Sequence, residues 1–223
     1  MNFAGTLHIS KGVTAVIGSG GKTTLLHQLA QELSADGTVV VCTTTHMLPS
    51  QTLPWLDTPD KREIGESLMQ HPAIQVGRLL PNGKLAACSL SCAALSGLAD
   101  YVLVEADGAK RLPLKAHAGF EPVIPESARL TICVAGASGF GQPIAQAVHR
   151  PEIFCRLTGA SPDDDAAAPL VGAALEAEAL ADIYYVNQID EPFQLAQAAA
   201  LAAQLRRPTY AGSLHAGTIQ PVP

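Results

Sequence analysis

Apolar and polar positions fall in blocks along this chain. Short runs of β-branched and other apolar residues read as strands: Val13–Ile17, Thr38–Thr44, Ile74–Leu79, Tyr101–Glu105, Leu130–Ala135, Ile183–Val186 and Thr209–Ala211. They are apolar almost throughout, as strands covered on both faces are. Between them lie segments whose apolar residues recur at helical spacing. These are Thr23–Leu33 (Leu25, Leu29 and Leu33 on one face), Asp60–Gln70 (Ile64 and Leu68), Leu90–Leu98, Ala166–Ala181 and Phe193–Leu205. Pro143–Leu157 reads as helical in part, interrupted by Pro151. Leu85–Cys88 is expected to fold back on Ile74–Leu79 across Pro81-Asn82-Gly83, a hairpin turn. The acidic run Asp163–Asp165 is expected at a helix N-terminus, where negative charge is favoured. Strands alternating with helices predict an α/β fold with a mostly parallel sheet and helices on both faces.

Composition narrows this further. With 223 residues, 48% hydrophobic and 15% charged, the chain can bury a real core and is not disordered. We expect a single domain over residues 1–223, with a small hairpin insertion near 72–90. The formal charge of −6 argues against a nucleic-acid partner. Gln194–Leu205, the most apolar tail segment, is far short of the roughly 20 apolar residues a membrane span needs, so no membrane partner is expected. Residues 1–12 carry neither a basic n-region nor an apolar h-region. The cysteines, Cys42, Cys88, Cys92, Cys133 and Cys155, are odd in number and read as reduced thiols of a cytoplasmic protein. Cys88 and Cys92 would share a helix face, but no second pair completes a zinc site.

The strongest chemical signal is Gly18-Ser19-Gly20-Gly21-Lys22-Thr23-Thr24, between a buried strand and an amphipathic helix. Glycines let backbone N–H groups approach an anion, and the helix N-terminus adds partial positive charge. Lys22 is placed to reach β- and γ-phosphates and the Thr23 hydroxyl to ligate Mg²⁺. The loop is a compact GxGGKT form, since Val16 stands where a full Walker A motif has its first glycine. A dinucleotide GxGxxG reading fails because the third glycine position is Thr23. The expected fold is therefore P-loop NTPase-like.

In such sheets ligands sit at the carboxyl ends of the strands. One strand delivers Thr43, Thr44, Thr45 and His46. Thr45 could meet Mg²⁺ or the γ-phosphate, and His46 could act as a base or contact substrate. The next delivers Glu105 and Asp107, a Walker B arrangement, with Glu105 the better metal ligand and Asp107 next. Lys110, Arg111, Lys115 and His117 follow in the irregular connection Leu112–Pro125 or just before it. Such a loop could stabilise charge in phosphoryl transfer or clamp an anionic substrate. A later strand delivers Asn187-Gln188-Ile189-Asp190, similar to the NKxD element that reads guanine, with Gln188 in place of the lysine. Ser213 and its neighbours would then support the base. The nucleotide is left open between ATP and GTP. His27 is expected to face solvent, and His149-Arg150 is a candidate second-site pair.

Taken together, IGSGGKTT (Ile17–Thr24), TTTHM (Thr43–Met47), EADGAKRLPLK (Glu105–Lys115), EPVIP (Glu121–Pro125), HRPE (His149–Glu152) and NQID (Asn187–Asp190) resemble the YqeC family. That family is connected with accessory proteins for selenium-dependent molybdenum hydroxylases. In Gly136–Gly141 the chain carries Ala137-Ser138-Gly139-Phe140 where the family often has an acidic residue. The resemblance implies a nucleotide-binding protein in selenium or molybdenum cofactor maturation, with a molybdenum hydroxylase or its cofactor as partner. Three functions follow as expectations. The first is an Mg²⁺-dependent NTPase or phosphotransferase. The second is an ATP-dependent amide ligase, which usually needs more domains than 223 residues allow. The third is a nucleotide-gated chaperone or insertase.

Overall fold

The computed structural model describes residues 2–223; Met1, where the expected domain and the segment read for a leader begin, lies outside the described residues. The chain opens with α1 (Phe3–Thr6), β1 (Gly12–Gly18), α2 (Lys22–Leu33), β2 (Val39–Thr43), β3 (His46–Met47) and β4 (Trp55–Asp57). Next come α3 (Lys61–Gln70), β5 (Ala73–Leu79), β6 (Leu85–Ala86), α4 (Cys92–Leu95), β7 (Tyr101–Glu105) and β8 (Leu114–Lys115). The second half holds β9 (Ala128–Gly136), α5 (Ile144–Ala147), β10 (Val148–His149), α6 (Pro151–Thr158) and α7 (Ala168–Glu178). It closes with β11 (Ile183–Asn187), α8 (Pro192–Ala202), β12 (Thr209–Ser213) and β13 (Thr218–Val222).

The central sheet is mostly parallel. Strands β12, β11, β9, β1, β7, β2 and β5 lie side by side in that order, all parallel. An antiparallel β13 closes one edge, and antiparallel β6 and β3 extend the other. From β1 the chain moves outward to β2 and β5, returns to β7 beside β1, and then crosses to β9 on the opposite flank. Strand order therefore reverses around β1. The carboxyl ends of β1, β7 and β9 open at a switch point, where such sheets accommodate ligands.

Helices cover both faces. Leu25, Leu26, Leu29 and Leu33 of α2 pack with Phe3 and Leu7 on Val16, Val41, Leu103 and Tyr185. On the other face α7 and α8 cover Ala15, Ile17 and Val186, and α3 covers Val40, Cys42 and Val104. Burying each large aliphatic side chain is worth about 1.5–3 kcal/mol. α3 is started by a reciprocal side-chain cap, Asp60 with Glu63, and at α8 the Gln194 side-chain oxygen accepts from the Asp190 and Glu191 N–H groups. At α2 the N-cap residue is Gly21, with no side chain to satisfy the first N–H groups.

Several expectations are corrected. Helix over Leu90–Leu98 shrinks to Cys92–Leu95: Ser96 turns its hydroxyl onto Ala93 O, and a turn through Gly97 follows. Cys88 therefore lies outside the helix that begins at Cys92. The acidic run Asp163–Asp165 is not in the first turn of α7, which begins at Ala168; Asp164 instead closes its own turn on Ser161 N–H. The Leu112–Pro125 connection contains β8, paired with β10 in a separate two-stranded sheet. His27 is half-buried, and its Nε2 is buried without a hydrogen-bond partner. The run at β13 escapes notice in the sequence because Pro221 interrupts it, yet an edge strand tolerates proline. No helix among the described residues is long and apolar enough to cross a membrane.

Candidate functional site

β1 ends in the glycine-rich loop, and three backbone angles explain the glycines. Gly18, Gly20 and Gly21 have φ of 89°, 82° and 135°. A Cβ on Gly20 would stand 2.4 Å from Gly136 N, and one on Gly21 2.4 Å from Asn187 Nδ2. Only glycine lets the loop lie this close to β9 and β11. Among the described residues, the N–H groups from Gly20 to Thr24 donate to no protein acceptor; the first donor of α2 with one is Leu25, onto Gly21 O. Consecutive free N–H groups at a helix N-terminus form an anion-binding concavity.

The neighbouring strand β7 supplies two carboxylates. Register sets Glu105 opposite Val16 on β1 and Thr43 on β2. The Thr23 hydroxyl donates to Glu105 Oε2 at 2.7 Å, and the Thr43 hydroxyl donates to the Glu105 carbonyl at 2.8 Å. Burial raises the Glu105 pKa, opposed by the Lys22 charge and the Thr23 hydrogen bond. A hydroxyl and a carboxylate meeting beside a free anion concavity is the donor set that Mg²⁺ takes, since it keeps most of its ligands as waters and phosphates. Among the described residues no three His, Cys, Asp or Glu side chains gather to hold a metal by themselves.

Asp107 has a different setting. It is fully buried, and its Oδ2 accepts from Gly18 N–H at 2.8 Å and from His117 Nε2 at 2.9 Å. Lys115 Nζ lies 3.2 Å from the same oxygen, and Lys22 Nζ lies 2.8 Å from Oδ1. Burial alone would raise this carboxyl, but the His117 hydrogen bond and the Lys22 and Lys115 charges hold it at about 2. His117 faces Asp107 through Nε2 and Glu178 Oε2 through Nδ1, at 2.9 and 2.8 Å. Two carboxylates facing the two ring nitrogens favour the imidazolium, which donates from both. Its pKa accordingly rises: burial works against the charge, and the two carboxylate hydrogen bonds outweigh it. The network continues from Lys115 to Glu121 at 3.0 Å and to Gly108 O, then from Glu121 to Arg150 at 2.7 Å. Arg150 stacks over Phe120, 4.9 Å from its centroid. Lys22, Lys115, His117 and Arg150 thus share the carboxylates Asp107, Glu121 and Glu178 in one connected network.

Above the loop opens a cleft of about 1370 Å³. Ser19, Gly20, Gly21, Lys22, Thr23 and Thr24 line it, as do Thr45, His46, Glu105, Arg111, His149, Arg150, Asn187 and Asp190. Gly18, Asp107 and Lys115 lie behind its wall. Lys22 also reaches back to Gly18 O at 2.7 Å. Thr45 Oγ1 sits 3.4 Å from Thr43 Oγ1, and His46 and Arg111 are exposed. At the far end, Asn187 braces the loop: its Nδ2 donates to Gly20 O at 2.8 Å, and its Oδ1 accepts from Leu214 N–H. Asp190 accepts from the Ser213 hydroxyl at 2.7 Å. Gln188, with φ of 67°, accepts from the Ser138 hydroxyl. Glu178 is the network residue that sequence reasoning missed. A carboxylate at the last residue of a helix opposes the macrodipole, and that was the available signal that it serves a cation elsewhere.

Comparison with known proteins adds the following. The family model described as YqeC protein matches residues 14–152. That range holds the glycine-rich loop, Thr45, His46, the Glu105–Lys115 segment and His149-Arg150, and stops short of Asn187–Asp190. An Escherichia coli (strain K12) protein described as "Uncharacterized protein YqeC" is 33% identical over 159 residues, which is 68% of this chain. The alignment spans 62% of that relative's length.

Proposed function

The chain belongs to the YqeC family, and on that premise we propose that it is an Mg²⁺-dependent nucleoside-triphosphate-binding protein acting as an NTPase or phosphotransferase. The observation that carries this is the free N–H row from Gly20 to Thr24 beside the Thr23–Glu105 contact at 2.7 Å. An anion concavity and a metal-type donor pair adjoin, as a phosphate chain with its Mg²⁺ needs. The N–H groups of Gly20–Thr24 would hold the phosphates, while those of Gly18 and Ser19 are already bonded to Asp107 Oδ2 and Val134 O. Thr23 and Glu105, with Thr45 nearby, would hold Mg²⁺, which supplies charge neutralisation on the phosphoryl oxygens.

Lys22 is held at rest by Asp107 and Gly18 O. In this reading Asp107 and Lys115 are positioning residues: they fix the lysine and the loop from behind without touching ligand. His46 and Arg111, exposed in the cleft, face the acceptor or the attacking water. Asn187 supports the loop, and Asp190, hydrogen-bonded to Ser213 and lining the cleft, would read the purine edge. The selenium or molybdenum hydroxylase role implied by the family resemblance supplies the pathway in which such an activity would serve.

Titration of ATP and GTP, each with and without Mg²⁺, tests this. We expect saturable binding strengthened by Mg²⁺. Absence of binding to both nucleotides would overturn the reading. Phosphate release stimulated by a hydroxylase, with little turnover alone, would favour the nucleotide-gated chaperone instead.

A further inference from the structure

The cleft concentrates positive charge on an acidic chain. Six of the 14 Lys and Arg residues line it, against three of the 20 Asp and Glu. Lys22 and Arg150 belong to the ion network behind the wall. The other four, Arg78, Lys84, Lys110 and Arg111, are exposed, and none has an ion-pair partner within 4 Å among the described residues. Arg78 feels the charge of Asp57, whose carboxylate is already engaged by Leu79 N–H and the Thr58 hydroxyl. Lys110 and Arg111 have φ of 47° and 63°. Successive non-glycine residues in the left-handed region are strained, a condition that clusters at ligand clamps.

Position separates two of these cations, Arg78 and Lys84, from the glycine-rich loop, whereas Lys110 and Arg111 precede Leu112, whose carbonyl accepts from the Ser19 hydroxyl of that loop. A triphosphate on the glycine-rich loop, with its base toward Asp190 and Ser213, leaves free the wall built by β3 and the β5–β6 hairpin. Arg78 and Lys84 stand on that hairpin, on either side of its turn. The same cleft presents Leu48 and Phe120, which are 50% and 74% exposed.

We infer that this part of the cleft binds a second small molecule, one carrying a phosphate-monoester group on an apolar or aromatic body, with Arg78 and Lys84 of the hairpin as its anion clamp. The inference rests on the nucleotide reading above, since it assigns the ground the nucleotide leaves. A doubly charged oxyanion matches paired Arg and Lys donors better than a neutral or singly charged group does. The apolar side chains take the body of the molecule.

The probe is phenyl phosphate, titrated into protein saturated with Mg²⁺ and a non-hydrolysable triphosphate analogue. Parallel arms use benzoate and phenol. Saturable phenyl phosphate binding is expected, weaker for benzoate, absent for phenol, and falling steeply with salt. Arg78→Ala/Lys84→Ala, at exposed hairpin positions, is expected to weaken phenyl phosphate by about tenfold or more, with analogue affinity within about twofold of wild type. No phenyl phosphate binding to the loaded protein, or binding unchanged in the double variant, would overturn the inference while leaving the nucleotide reading intact. Failure of the analogue itself to bind would overturn both, and is read separately in the first titration.

Discussion

β7 ends in two carboxylates, Glu105 and Asp107, which share a strand end and a charge but not a setting. Glu105 faces the cleft and meets the Thr23 hydroxyl, and burial raises its pKa. Asp107 faces the protein interior and meets Lys22, Lys115, His117 and Gly18 N–H, which hold its carboxyl at about 2. Like groups pushed apart by their environments have different tasks. The interior carboxylate organises the loop, and the cleft-facing one is available to ligand. In the proposed function the two carboxylates of one strand end would divide support from chemistry.

Substitutions should break this division unequally. Asp107→Asn should have the largest effect, destabilising the fold by about 3–5 kcal/mol, because it leaves buried cations without their shared anion; denaturant unfolding would measure this. Glu105→Gln should change stability little, since an amide oxygen still accepts from Thr23. In that variant nucleotide should still bind while Mg²⁺-dependent turnover falls about 100-fold, close to 3 kcal/mol of lost phosphoryl-charge stabilisation. Phosphate-release kinetics would check it, and full activity would move the metal role away from Glu105.

Smaller effects sharpen the same contrast. If Asp190 reads the base, wild type should favour GTP over ATP by about tenfold, or 1.4 kcal/mol, because adenine leaves the carboxylate unpaired. Asp190→Asn should erase that preference in competition binding. The smallest effect concerns pH. The His117 pKa is raised above its ordinary 6.5 by Asp107 and Glu178 against the opposing burial. Its stabilisation is therefore complete below pH 6.5 and lost as pH rises through the raised value. Tm should fall over that window in wild type and stay flatter in His117→Gln.

The sheet and the loop were legible because their signals are local. Val13–Ile17 running into glycines and Lys22, and YVLVE closing on Glu105, need only neighbouring residues to be read. The mixed α/β fold with its mostly parallel sheet follows from that alternation. The charge network was not legible, because it joins residues distant in sequence. Lys110, Arg111, Lys115 and His117 looked like one cationic loop, yet the structure divides them: β8 carries Lys115 inward, with His117 two residues on, while the strained turn leaves Lys110 and Arg111 exposed. Nothing along the chain ties Glu178, 61 residues beyond His117, to that histidine. Arg78 and Lys84 carry no signal along the chain, and only the sheet order brings their hairpin to the rim of the cleft.

The central claim is that the glycine-rich loop and its lysine hold a triphosphate, and Lys22→Ala tests it most directly. Asp107 keeps Lys115, His117 and Gly18 N–H in this variant, so the chain should stay folded, which circular dichroism would establish first. Isothermal titration with Mg²⁺ and the preferred nucleotide should then show tight binding in wild type and its loss in the variant, because the lysine charge meets the phosphates. Unchanged affinity in a folded Lys22→Ala protein would contradict the account.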